Sequence, residues 1–272
     1  MQKNLEKYFR SEKLPHIWCP GCGNGIVLSA LVRAFERLKI NQDQTVIVSG
    51  IGCSSRASGY LDFNTLHTTH GRALAFATGI KVANPELNVF VLMGDGDATA
   101  IGGNHLIHAA RRNIDLTAII FNNSIYGMTG GQYSPLTPYQ SMTATSPYGT
   151  LEPTFDVAEL MKAAGATYVA RSTTYHASLL SRLIRNGARH KGFSVIEAVT
   201  ACPVSYGRKN KMGNGYDMLM WQKEHGIPRK KAQRLTPEQM RGKFIIGELH
   251  SAEAPEYTES YGRIIEQAQS SL

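Results

Sequence analysis

Residues 88–123 read NVFVLMGDGDATAIGGNHLIHAARRNIDLTAIIFNN, and the way this stretch alternates decides the fold. Asn88 to Met93 (NVFVLM) is an apolar run of strand length, Ala98 to Arg111 is alanine-rich and helix-like, and Leu116 to Phe121 (LTAIIF) is a second apolar run. Such runs are what strands covered on both faces look like, as in a parallel sheet sandwiched by helices. The unit is therefore strand, helix, strand. With the strands as parallel neighbours, Asp95 and the pair Asn122-Asn123 both leave carboxyl ends, the edge at which open α/β sheets bind ligands.

The alternation continues outward. Strand-like runs at 45–49, 166–170 and 194–199 join those at 88–93 and 116–121, between helical stretches near 24–38, 71–83, 98–111, 156–164 and 177–191. The pattern predicts an α/β fold: a doubly wound, mainly parallel sheet sandwiched by helices. A chain of 272 residues, 42% hydrophobic, has enough apolar material for one large core. That core is expected over 1–204. Residues 205–272 are expected to form a basic arm and C-terminal helix packing on the core or a partner. Proline, glycine and polar residues from Pro203 to Pro228 suggest an extended arm, and Glu259 to Ser270 suggests a terminal helix. No internal repeat or low-complexity tract is present.

The chemistry sits between the strands. A magnesium ion bridging a diphosphate takes hard oxygen ligands in octahedral array, and a carboxylate from Asp95 with an amide oxygen from Asn123 supplies two. Gly94 and Gly96 allow the backbone to approach phosphate oxygens. A helix starting near Ala98 would turn its amino terminus toward them. Taken singly, Gly-Asp-Gly reads as a tight turn and Asn-Asn as a helix cap. Together, with these elements between them, they resemble the signature of the thiamine-diphosphate enzymes, Gly-Asp-Gly followed about thirty residues on by Asn-Asn. Here the span from Gly94 to Asn123 is 30 residues inclusive. The resemblance implies that Asp95, Asn123 and the backbone carbonyl of Ile125 hold the magnesium.

Four cysteines complete the picture: Cys19 and Cys22 in Trp-Cys-Pro-Gly-Cys-Gly, Cys53 in Ser-Gly-Ile-Gly-Cys-Ser-Ser-Arg, and Cys202 directly before Pro203. A disulfide framework does not suit a chain this long without an export signal. Four thiolates hold zinc or a [4Fe-4S] cluster, and spacing alone does not separate these. Context does, because Cys53 follows the run TVIVS (45–49) and so belongs on the same carboxyl edge as Asp95. A structural zinc has no reason to be there. Thiamine chemistry on a 2-oxoacid leaves an electron-rich intermediate, and a cluster beside it is an acceptor.

With both motifs present the chain resembles the β subunits of the 2-oxoacid:ferredoxin oxidoreductases over roughly residues 14–205. Further support comes from LPHIWCPGCG at 14–23, HGRALAFATGIK at 70–81 and IYGMTGGQ at 125–132. The resemblance implies one [4Fe-4S] cluster on Cys19, Cys22, Cys53 and Cys202. It also implies cofactor contacts from Ile51, Gly52, Cys53, Ser54, Gly96, Asp97, Gly127 and Met128, beside Gly94. Thiamine activation requires a carboxylate at the aminopyrimidine, which in these enzymes comes from a separate pyrimidine-binding domain. A chain with room for one such domain needs an α subunit to supply that glutamate, with thiamine in the interface. The expected reaction is oxidative decarboxylation of a 2-oxoacid, with the acyl group passing to coenzyme A and electrons through the cluster to ferredoxin. It is reversible in principle.

Arg56 would project from the cofactor loop, where a guanidinium suits a second carboxylate, which favours 2-oxoglutarate over pyruvate. The string GMTGGQ at 127–132 also looks more like the 2-oxoglutarate or branched-chain members. Branched-chain 2-oxoacids or pyruvate are the alternative substrates, and a surface or partner carboxylate the alternative role for Arg56. His70, before Gly71 at a helix start, is the histidine expected nearest the thiazolium or substrate. Asp97 is expected to offer its backbone amide to the diphosphate and its side chain as a helix cap. His105 and His108 read as packed or capping residues, since no third ligand accompanies them. Two other classes stay open: a non-redox thiamine lyase, which would have no use for the cysteines, and a zinc-binding assembly subunit without catalysis.

The formal net charge is +8. Between Ser205 and Arg234 eight Lys or Arg face two acids, Asp217 and Glu224. A solvated loop is one reading of that segment, and docking of an acidic electron carrier such as ferredoxin is the sharper one. Nucleic acid is not expected as a partner, since the segment has few aromatics and no recognition fold. Further small subunits remain open. No apolar run approaches the ~20 residues of a membrane helix, and the charged start MQKNLEKYFRSEK lacks a signal-peptide core. A cytoplasmic protein without membrane contact is expected.

Overall fold

In the computed structural model, which describes residues 5–271, the run NVFVLM becomes β3 (Asn88–Gly94) and LTAIIF becomes β4 (Thr117–Asn122). The first four residues of the charged start, and Leu272, lie outside the described residues. β3 and β4 are parallel neighbours with Phe90 opposite Thr117 and Gly94 opposite Phe121. Around them run β1 (Thr45–Ser49), β2 (Asn64–His67), β5 (Tyr168–Thr173), β6 (Ser194–Val199), β7 (Gly226–Pro228) and β8 (Phe244–Ser251). The order in the eight-stranded sheet is β2-β1-β3-β4-β6-β5-β8-β7. β8 lies antiparallel to β5, and every other neighbouring pair is parallel. The sheet is thus the mainly parallel, doubly wound one that the sequence predicts.

Alternate residues of each strand divide the core into two layers. Phe90 and Leu92 pack with Ile119, Phe121 and Ile196 under α1 (Asn24–Leu38) and, later in the chain, α7 (Ala177–Arg189). Val89, Val91 and Met93 face the other way, beneath α3 (Ala73–Ala83), α5 (Gly103–Arg112) and α6 (Val157–Ala164). The remaining α-helices among the described residues are α2 (Ala57–Tyr60), α4 (Asp95–Thr99), α8 (Gly215–His225), α9 (Arg229–Ala232), α10 (Pro237–Met240) and α11 (Tyr257–Ser270).

Three expectations need correction. The single helix over 98–111 is two, α4 and α5, broken at Ala100 to Gly102. Tertiary contact sets the break: a β-carbon on Gly102 would lie 2.3 Å from the Asp97 carbonyl and 3.2 Å from the Gly71 Cα, so the chain turns where two backbones touch. Next, the strand expected at 166–170 starts later, at Tyr168. The extended arm over 203–228 is also folded. It begins with a π-helical turn at Pro203–Gly207 and continues as α8, whose amino end is closed by a capping box between Asn214 and Asp217. Gln222 of α8 is buried, accepting from Thr174 Oγ1 at 2.8 Å and Tyr175 N at 3.0 Å. Residues 205–272 therefore extend the core's own sheet through β7 and β8, and α11 covers the expected terminal helix.

Candidate active site at the carboxyl edge

Because β1, β3 and β4 are adjacent and parallel, the loops after Ser49, Gly94 and Asn122 open onto one edge. Between them lies a small cleft of about 90 Å³, partly open to solvent. Ile51, Gly52, Cys53, Ser54, Gly94, Gly96, Asp97, Gly127 and Met128 line it, together with Asp95, Asn123, Ile125 and His70. Residues from four separated segments, His70 after β2 among them, meet there. Arg56 does not line it. It sits exposed on the turn Ser54–Arg56 that follows Cys53.

Asp95 begins α4 directly after β3 and is buried. Its Oδ2 accepts a hydrogen bond from Ser134 Oγ at 2.5 Å. Burial pushes its carboxyl up to about 7, although hydrogen bonds from Ser134 and from backbone amides pull the other way. A buried carboxylate without a cation beside it behaves in this way, and a divalent ion would reverse the shift. The Asn123 Oδ1 accepts from Ile125 N at 3.2 Å, a bend that brings the Ile125 backbone to the same cleft. One carboxylate, one amide oxygen and one carbonyl make an all-oxygen donor set that fits magnesium.

Asp97 departs from expectation. Its side chain does not cap a helix; α4 has Gly94 at its N-cap position and no side-chain cap. Instead Oδ1 accepts from Gly71 N at 2.7 Å, from Ile51 N at 3.4 Å and from His70 Nδ1 at 2.5 Å. One carboxylate thereby ties the loops at 51 and 70–71 to the start of α4. Its Oδ2 is buried without a partner, and burial raises its carboxyl. The fit is close enough that a β-carbon on Gly50 would fall within 1.9 Å of that oxygen. His70, held through Nδ1, has its ring edge-on to Tyr126 with centroids 5.9 Å apart.

The four cysteines converge beside this cleft. Cys19 and Cys22 lie on a turn closed by Cys22 N donating to the Cys19 carbonyl at 3.0 Å. The neighbouring Trp18 Nε1 donates to the Cys53 carbonyl at 2.7 Å and ties that turn to the loop after β1. A β-carbon on Gly127 would sit 3.5 Å from Cys202 Sγ and 3.6 Å from Cys53 Sγ. The Cys22 thiol is pushed up to about 12, by burial first and then by the neighbouring Cys202, Cys53 and Cys19. Such a group is poorly stable as bare thiolates and suits a cationic iron-sulfur core. Among the described residues no three His, Cys, Asp or Glu stand close enough to cage a single metal ion, which holds for these thiols and for His105 and His108 alike.

Several residues of the site escaped the sequence. Tyr126 Oη donates to the Gly96 carbonyl at 3.1 Å, and its ring occupies the space where a Gly96 β-carbon would fall, 2.2 Å away. Its place next to Ile125 was the available signal. Ser134 gave none, since its approach to Asp95 depends on how the long irregular segment after β4 folds back. Behind the site, Asn122 Nδ2 donates to Glu197 Oε1 at 2.7 Å, and Arg171 pairs with Glu197 and Asp156 at 2.6 Å each. Charged residues inside the apolar strands YVARST and SVIEAV marked this network.

The family described as thiamine pyrophosphate enzyme, C-terminal TPP binding domain, matches residues 50–198. The 2-oxoglutarate synthase subunit KorB of Methanothermobacter marburgensis is 55% identical over 263 residues, covering 96% of this chain and 92% of the relative. The protein of the same name from Archaeoglobus fulgidus is 62% identical over 203 residues, 75% of this chain and 76% of the relative. Among solved structures, 2-oxoglutarate:ferredoxin oxidoreductase from Magnetococcus marinus, with 2-oxoglutarate, coenzyme A and succinyl-CoA bound, superposes with a TM-score of 0.87 at 33% identity. That match covers 97% of this chain and 90% of the other.

Proposed function

This chain belongs to the family of 2-oxoacid:ferredoxin oxidoreductase β subunits, and on that premise we propose that, with an α subunit, it converts 2-oxoglutarate and coenzyme A to succinyl-CoA and carbon dioxide. Two electrons leave through a [4Fe-4S] cluster on Cys19, Cys22, Cys53 and Cys202 to ferredoxin. The observation that carries this reading is a shared wall. Cys53 lines the cleft of Asp95 and Asn123, and Gly127, also in that lining, abuts the sulfurs of both Cys53 and Cys202. A lyase has no use for thiols there.

When bound, thiamine diphosphate supplies the carbon nucleophile and electron sink for decarboxylation, and the cluster supplies a one-electron relay. The rest falls to this chain. Asp95, Asn123 and the Ile125 carbonyl would hold magnesium, and Gly94, Gly96 and Asp97, which line the cleft, would bind the diphosphate through their backbone. Ile51, Gly52, Ser54 and Met128 wall the reacting region from water. His70, with Nδ1 committed to Asp97, keeps Nε2 free to hold or deliver a proton at the substrate. Asp95 is tied to Ser134 and Asp97 to the loops at 51 and 70–71, and the activating glutamate is assigned to the α subunit. Among the described residues no helix is long and apolar enough to cross a membrane, and the reducing cytoplasm is the compartment we assign.

Arg56 is proposed to pair with the distal carboxylate of 2-oxoglutarate. It stands beyond the Cys53 loop, so the far end of the substrate must reach past that loop. The test is anaerobic, coenzyme A-dependent reduction of methyl viologen by the co-purified complex. Preference for 2-oxoglutarate is the expected result. Equal rates with pyruvate or branched-chain 2-oxoacids would reassign the substrate, and no reduction with any of them would end the redox reading.

A further inference from the structure

Cys19 is the exposed member of the four cysteines. If they hold the cluster proposed above, on which this inference rests, the cluster meets the surface along the Cys19–Cys22 turn. Gly21 decides what surrounds that turn. With φ at +79°, it is pressed from two sides: a β-carbon there would lie 3.0 Å from the Gly215 Cα and 3.4 Å from Pro203 Cγ. The residues next to those contacts, Val204 and Tyr216, are 41% and 67% exposed, and Ile17, two before Cys19, is 68% exposed. Between Val204 and Tyr216 the chain carries Arg208, Lys209 and Lys211 and no acid. All three cations are exposed, and none joins an ion pair among the described residues.

The segment bearing them is fixed to the cluster's own ligand. The Cys202 carbonyl accepts from Gly207 N at 2.9 Å and Tyr206 N at 3.1 Å, and Asn210 bonds both backbone groups of Met142 at 2.8 and 3.0 Å. The backbone that carries its cations is therefore held in place. An apolar centre beside a redox edge, rimmed on one side by unpaired cations, suits brief encounters with a partner of opposite charge.

We infer that the surface of Ile17, Val204 and Tyr216 with Arg208, Lys209 and Lys211 is where an acidic one-electron carrier protein docks and takes electrons at the Cys19 edge. Each docking moves one electron from the reduced cluster to the oxidised carrier, so two carriers are reduced per 2-oxoacid oxidised. The docking expected over the whole of 205–234 is thereby narrowed. α9, with Lys230 and Lys231, packs on β7 and β8 at the far end of the strand order, and Arg229 there donates to the Glu248 carbonyl at 2.9 Å.

The test uses the complete complex, an acidic ferredoxin and methyl viologen as a small acceptor needing no docking. Arg208→Glu, Lys209→Glu and Lys211→Glu together are expected to raise the KM for ferredoxin at low salt by about tenfold or more, with methyl viologen rates and iron content unchanged. Lys230→Glu with Lys231→Glu is the control, and its KM for ferredoxin should stay at the wild-type value. An unchanged ferredoxin KM in the triple variant, or an equal rise in the control, would overturn the proposal while leaving the reaction intact. Failure of the wild-type complex to reduce methyl viologen would instead remove the reading beneath it.

Discussion

Asp95 links burial to cation binding. Its folded carboxyl titrates near 7 because it is buried, so without metal it carries a proton at mildly acidic pH that magnesium must displace. The affinity of the complex for magnesium and thiamine diphosphate should therefore rise with pH up to about 7 and level off above it, by up to about tenfold per unit below that point. Calorimetry at pH 6 and 8 checks the direction, and a pH-independent affinity would remove Asp95 from the ligand set. Gly96 makes a steric prediction: Gly96→Ala drives a methyl group into Tyr126, 2.2 Å from its ring, and should weaken cofactor binding, whereas Tyr126→Phe loses only one hydrogen bond, about 1 kcal/mol. Arg56→Ala should raise the KM for 2-oxoglutarate far more than for 2-oxobutyrate. Equal effects on both would end its assignment to the distal carboxylate. Much of the cleft lining is legible in sequence because its residues sit at fixed offsets from strand ends. Ser134 and the Asp97 contacts are not, because each depends on a second loop whose path no local pattern records.

The central strands announce themselves as apolar runs because both faces are covered. β2 (NTLH) is mostly exposed and β7 is three residues long, so neither offers a hydrophobic pattern to read. Within 203–228 the glycines and prolines hid α8, although Asn214 and Asp217 at capping-box spacing marked its start. Inside the sheet, β5 and β6 carry the Arg171–Glu197 pair under Asn122, with Asp156 at its outer end. Burial lowers the guanidinium's proton affinity, but the two carboxylates more than offset this and raise it. Arg171→Ala would strand Glu197, which is 4% exposed, and should destabilise the chain by about 3–5 kcal/mol in denaturant titration. Replacing Glu197 as well, by Leu, should recover part of that loss. A loss under about 1 kcal/mol for the single variant would mean that water already reaches the pair.

For the molecule as a whole, the winding of one sheet places the loops after β1, β2, β3, β4 and β6, with the Cys19–Cys22 turn, at one edge. Cofactor cleft and cysteine group then share Cys53 and Gly127, and on this rests the proposal that this chain is the electron-handling half of a two-part enzyme. If that account holds, removing one thiol should separate the two functions. Cys202→Ser, away from the cleft lining, should lower iron content and acceptor reduction while thiamine diphosphate still binds. The most direct measurement is the iron, acid-labile sulfide and thiamine content of the anaerobically purified complex. The account predicts about four irons and four sulfides on this chain with one thiamine diphosphate. Zinc in place of iron, or no thiamine, would contradict it.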